Sequence, residues 1–149
     1  MKLVIGCDHG AVELKDSVKA VISQEFPDIK LNDVGTFSGE SVDYPDIAEK
    51  VCAEIISGRS DRGIVLCGTG IGISIACNKV KGIRCALCND TFSARMSREH
   101  NDANVMAMGG RVIGFGPAGD IVRAFLTTDF SQGERHMRRI EKMMALENK

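Results

Sequence analysis

Short apolar runs of β-like character alternate with longer stretches of helical spacing along the whole chain. Leu3–Ile5 opens the series and leads into Gly6-Cys7-Asp8-His9-Gly10. Val12, Leu14, Val18, Val21 and Ile22 then recur near the helical period, and Phe26-Pro27 ends that helix. Ile29–Val34 reads as a second strand, followed by a polar loop from Gly35 to Tyr44. Pro45 opens the next helix at a position that needs no N–H; its apolar stripe is Ile47, Val51, Ile55 and Ile56, and Ser57-Gly58 stops it. Gly63–Cys67 is a third strand, entering Gly68-Thr69-Gly70-Ile71-Gly72 and a helix that runs through Ile75 and Ala76 to about Val80. Arg84–Cys88, a helix from Asn89-Asp90 to about His100, the strand Asn104–Met108 and a helix from about Pro117 to Leu126 continue the alternation. A basic helix after Gly133 closes it. Strands separated by helices of this length need crossover connections, which place helices on both faces of a parallel sheet. The expected fold is α/β: a doubly wound, Rossmann-like, five-stranded parallel sheet with a C-terminal helix. Residues 1–149 are expected to form one domain.

Composition narrows the partners. The formal net charge is -1 and aromatic residues make up 5%, with no Trp. Neither an electrostatic footprint nor a stacking platform for nucleic acid is present. No run approaches the ~18 apolar residues of a membrane span. Leu3–Cys7 is also too short for a signal segment, so the expected location is the cytoplasm. The six cysteines, at 7, 52, 67, 77, 85 and 88, are scattered through apolar segments, as reduced buried thiols are. Cys85-Ala86-Leu87-Cys88 is a CxxC, yet it falls on a strand, where positions i and i+3 face opposite ways. Cys52, Cys77, Cys85 and Cys88 are therefore read as small hydrophobic side chains.

Ligands of such sheets bind beyond the carboxyl ends of the strands. Three polar segments fall there: Cys7-Asp8-His9, Cys67-Gly68-Thr69-Gly70 and Gly109-Gly110-Arg111. The glycine-rich loop 68–72 joins a strand to a helix, so its N–H groups can point inward as a nest for a phosphate or a developing oxyanion, or simply reverse the chain. It lacks the Lys-Ser/Thr of a P-loop and the glycine spacing of a dinucleotide fingerprint. Cys67, just before it, is placed for a thiolate acting as base or nucleophile. His9 and His100 stand at element ends where an imidazole can exchange protons, or act as surface or capping groups, and Asp8 could be a plain N-cap. With three histidines and no close second ligand, no metal or cofactor is expected. Arg135 and Arg139 are i,i+4 on the last helix, and His136 and Arg138 widen the basic patch. Arg135 lies in the first turn, where the helix dipole disfavours a cation, and a bound phosphate would resolve that conflict.

Taken together, Gly6-Cys7-Asp8-His9, Asp43-Tyr44-Pro45, Cys67 to Ser74, Asn78-Lys79, Arg98-Glu99-His100-Asn101 and Gly109-Gly110-Arg111 resemble ribose-5-phosphate isomerase type B. The matches run in order over nearly the whole chain, and the family also includes galactose-6-phosphate isomerase subunits and enzymes acting on allose 6-phosphate. The resemblance implies a metal-free interconversion of ribose 5-phosphate and ribulose 5-phosphate through a cis-enediolate. It implies Cys67 as the base between C2 and C1, and Thr69 for the proton between O1 and O2. The amides of Gly68, Gly70, Ile71 and Gly72 would steady the enediolate. His100, with Asp8, would open the sugar ring, and Asn101 would orient the sugar. His9, Arg111, Arg135 and Arg139 would hold the phosphate, and Tyr44 would line the pocket. It implies a homodimer, or a dimer of dimers, with shared active sites. Many members read Ala-Gly after the Asp-His pair where this chain reads Gly10-Ala11, a change that touches no reacting group. An isomerase preferring a hexose phosphate and a non-catalytic sugar-phosphate binding domain are the alternatives.

Overall fold

A computed structural model describes residues 1–149. Five strands form one all-parallel sheet: β1 (Lys2–Cys7), β2 (Lys30–Asp33), β3 (Arg62–Cys67), β4 (Cys85–Leu87) and β5 (Val105–Gly109), in the order β2-β1-β3-β5-β4. Six α-helices connect and follow them: α1 (Val12–Glu25), α2 (Tyr44–Ile56), α3 (Ile71–Cys77), α4 (Thr91–Glu99), α5 (Phe115–Thr127) and α6 (Glu134–Met144). A single 3-10 turn, His9–Ala11, precedes α1 and another, Ala145–Asn148, follows α6. No helix is long and apolar enough to cross a membrane.

The sheet is buried on both sides because successive strand residues point to opposite faces. Leu3, Ile5, Ile64, Leu66, Met106 and Met108 face α1, α4 and α5. Val4, Val65, Cys67, Val105 and Ala107 face α2 and α3. The CxxC obeys the same rule. Cys85 packs with the second cluster and Cys88 lies in the first, and all six thiols are free.

Several elements differ from the sequence pattern in extent. On α2 the buried stripe is Ile47, Ala48, Val51 and Cys52, while Ile56 is exposed. Helix α3 stops at Cys77, before Val80, because the Asn78 side chain instead clamps the backbone of β4. Its amide group donates to Cys85 O and accepts from Cys85 N, both at 2.8 Å.

One buried charge escaped the periodicity. Lys15 is 1% exposed on α1; its Nζ donates to Asp33 Oδ1 at 2.9 Å and to Thr36 O at 2.6 Å, while Lys19 holds Asp33 Oδ2 at 2.7 Å. Burial opposes ionisation of Asp33, but hydrogen bonds from Lys19, Lys15 and the Gly35 N–H outweigh it and keep the carboxyl below its ordinary range. Its folded pKa is depressed, so the stabilisation is complete above the unfolded value, about 4. It is lost as pH falls through the lower folded value. Asp33→Asn strands a buried ammonium. The expected cost is about 3 kcal/mol, or roughly 10 °C in Tm, with a flatter acid limb than the parent in a pH series of thermal melts.

Candidate active site

Three loops meet at the carboxyl ends of β1, β3 and β5. The Gly110 N–H donates to Cys67 O at 2.8 Å, the Arg111 N–H to Gly68 O at 2.9 Å, and the Asp8 N–H to Leu66 O at 3.0 Å. These bonds lock the end of β3 between its two neighbours. Cys67, the last residue of β3, is 4% exposed, and its Sγ accepts the Gly70 N–H at 3.1 Å. That contact turns the sulfur toward the glycine-rich loop.

Two glycines make the loop possible. Gly70 has φ +76°, and a Cβ there would lie 2.7 Å from Leu87 Cδ1 and from the Met108 carbonyl carbon. A Cβ on Gly72 would lie 2.7 Å from the Tyr44 ring, which therefore packs directly on the first turn of α3. Within the loop the Ile71 N–H donates to Thr69 Oγ1 at 3.2 Å. The amides of Gly68 and Thr69 have no partner in the chain, and those of Gly72 and Ile73 lie in the first helical turn, where no preceding helical carbonyl can take them. Together they form a donor-rich concavity beside the thiol, the arrangement that holds an oxyanion or phosphate.

The other residues of this end surround the nest. Asp8 is buried and accepts the Gly10 N–H at 2.8 Å through Oδ1, capping the 3-10 turn. His9 Nδ1 accepts the Val42 N–H at 3.2 Å, which places its proton on Nε2 as an outward donor. Arg111 lies over Gly68, with Nη1 3.3 Å from the position of a Cβ there, and makes no ion pair of its own. Tyr44 is partly exposed at the rim.

The remaining sequence-chosen residues lie elsewhere. Helix α4 runs antiparallel to the strands, so His100 and Asn101 emerge at the opposite edge of the sheet. There the Asn101 carbonyl accepts from Arg84 Nε at 3.1 Å, just before β4 begins. The six residues of β3 separate this edge from Cys67, a distance of roughly 17 Å at the usual strand rise. Helix α6 starts beside His100: the Ser131 N–H bonds Glu99 O at 3.1 Å, and the His100 and His136 rings stack at 4.3 Å. Arg135 and Arg139 stand exposed on that helix without an acidic partner. His136, which the sequence grouped with the exposed basic patch, is instead buried beneath it at 7% exposure. A concavity of about 600 Å³ also belongs to this edge; Ile83, Arg84, Asn101, Met143 and Leu146 line it, and Cys67 does not. No group of three or more His, Cys, Asp or Glu side chains is arranged to hold a metal ion.

A doubly wound sheet that presents a thiol, an amide nest and cations at its carboxyl edge is equipped to hold an anionic substrate and move protons on it, and the class it falls in is that of the sugar-phosphate isomerases. Residues 3–143 match the family model described as Ribose/Galactose Isomerase, and the chain belongs to that family. It is 43% identical to the ribose-5-phosphate isomerase B of Escherichia coli, over 99% of this chain and 97% of that one. It is 41% identical to the D-erythrulose-4-phosphate isomerase of Pectobacterium atrosepticum, over 89% and 87%. The solved structure of Clostridium thermocellum ribose-5-phosphate isomerase B superposes with a TM-score of 0.95 at 49% identity, covering 99% of this chain and 98% of that one.

Proposed function

We propose that the protein interconverts ribose 5-phosphate and ribulose 5-phosphate through a cis-enediolate, without a metal, at sites that a second copy of the chain completes. The observation that carries this reading is the Cys67 sulfur held against an amide-rich loop with Arg111 laid over it. A base at that position takes the C2 proton of the open-chain aldose, and the negative charge moves onto oxygen at the nest. Returning the same proton to C1 gives the ketose. Thr69 moves the hydroxyl proton from O2 to O1, which requires its Oγ1 to turn from the Ile71 N–H. His9 through Nε2 and Arg111 take the phosphate oxygens on the same chain. Tyr44 walls the sugar.

Ring opening and the rest of the phosphate grip need an acid–base group and further cations. His100 with Asp8, and Arg135 with Arg139, supply them, and Asn101 orients the sugar. Within one chain His100, Asn101 and the two arginines are a strand length from Cys67. Helix α6 also carries exposed Met137 and Met143 beside its unpaired arginines, and the 3-10 turn after it adds exposed Leu146. A helix that buries so little of itself favours docking on another subunit, and a symmetric dimer presents each tail to the other chain's nest. The dimer is the smallest assembly that satisfies this, each chain acting as one domain, and an assembly of this kind is at home in the cytoplasm.

The test is proton NMR of ribose 5-phosphate with the protein in D₂O and excess EDTA. Ribulose 5-phosphate is expected at an undiminished rate, with deuterium partly entering C1. Loss of turnover in chelator would remove the metal-free mechanism, and absence of turnover would leave a binding domain. One extra or missing carbon is worth only about 1–3 kcal/mol in a pocket. Four- and six-carbon aldose phosphates therefore belong in the same series, the pentose being expected fastest.

A further inference from the structure

Packed against His100, at the end of α4, is a residue of α6 with no part in the scheme above. The His136 ring lies parallel to that of His100, with centroids 4.3 Å apart and planes 8° apart. Its Nε2 accepts from Arg135 Nε at 3.2 Å, and its Cδ2 edge faces Gly133, 3.2 Å from where a Cβ there would lie. It is the one buried residue of α6. We infer that His136 is a positioning residue, whose ring face fixes the His100 imidazole and whose Nε2 fixes the Arg135 guanidinium, so that proton-transfer group and phosphate grip move as one unit. This rests on the reading of His100 as the ring-opening group.

The charge state follows from the same contacts. To accept from Arg135, Nε2 must be free of a proton, so the neutral ring carries its hydrogen on Nδ1. Burial, then His100, Arg135 and Arg139, all disfavour a charged His136, with Glu99 opposing them weakly. A neutral His136 leaves His100 as the member of the stack that can take and release the proton. Two imidazolium rings at this separation would repel each other. The stack holds the His100 ring while the Arg135 contact spans two adjacent residues of α6, so a shift of the helix displaces both.

The test separates ring opening from enolisation. Ribulose 5-phosphate is open-chain because its 5-hydroxyl is esterified, so deuterium uptake at its C1 in D₂O needs no ring step. His136→Asn removes the stacking face: kcat on ribose 5-phosphate is expected to fall at least about tenfold, with exchange into ribulose 5-phosphate within about threefold of the parent. His136→Phe keeps a stacking face and loses the acceptor for Arg135, so kcat stays within about threefold while KM rises several-fold. The Phe variant reads the Arg135 contact even if the Asn variant does not fold. Equal losses in both reactions, a Phe variant as slow as the Asn variant, or an Asn variant within twofold of the parent would overturn the inference. His100→Asn run in parallel keeps the two ideas apart. If it lacks the split between turnover and exchange, the role of His100 fails; if it shows the split and His136→Asn does not, only the role of His136 fails.

Discussion

Cys67→Ala is expected to lower kcat on ribose 5-phosphate about 1,000-fold, close to 4 kcal/mol of barrier, and to leave KM within about threefold. The expectation follows from where the sulfur sits. It is almost fully buried, faces the glycine-rich loop and accepts the Gly70 N–H. The proposed phosphate ligands His9 and Arg111 are held by other contacts, to Val42 and over Gly68, which the substitution does not touch. Binding should therefore survive while the group that acts only in the transition state is lost. Cys67→Ser keeps the shape and offers a hydroxyl that resists ionisation at neutral pH, so its rate should fall nearly as far. Steady-state kinetics with a thermal melt of each variant decides the matter. A Cys67→Ala enzyme retaining a tenth of parental kcat would move the base to another residue.

The carboxyl-edge half of this site was legible in the sequence because topology and local chemistry agreed there. Apolar runs of four to six residues ending in Asp8-His9, in the glycine loop and in Gly110-Arg111 fix strand ends, and a parallel sheet gathers all its carboxyl ends on one edge. The opposite faces of Cys85 and Cys88 came from the strand period alone. The order β2-β1-β3-β5-β4 did not, since spacing along the chain does not say on which side of β5 a strand as short as β4 will pair. Lys15 escaped because a helical stripe counts apolar residues, and the carboxylate that makes its burial tolerable is at the end of β2, eighteen positions away. His136 was grouped with Arg135, Arg138 and Arg139 by composition. A ring turned inward against His100 leaves no trace in spacing, because the partner lies on another helix. The separation of His100 and Arg135 from Cys67 was foreshadowed only by the resemblance, and it is the antiparallel course of α4 against the strands that produces it.

That separation yields an experiment with a sharp numerical outcome. Take one variant defective at the nest, Cys67→Ala, and another defective in the tail, Arg135→Ala with Arg139→Ala, each expected to be nearly inactive alone. The tail variant loses two charge-assisted phosphate contacts, which should raise KM by at least about a hundredfold. If each site takes its nest from one chain and its tail from the other, a mixed dimer pairs the two defects in one site and leaves its second site wholly intact. Random reassortment makes half the dimers mixed, so unfolding and refolding an equimolar mixture should restore about one quarter of parental activity, with parental KM. Sites built within single chains would give every chain one defect and no recovery. The restored KM matters as much as the restored rate. Only an undamaged pair of arginines reaching an undamaged nest gives that rate and that KM together, and neither starting variant contains both.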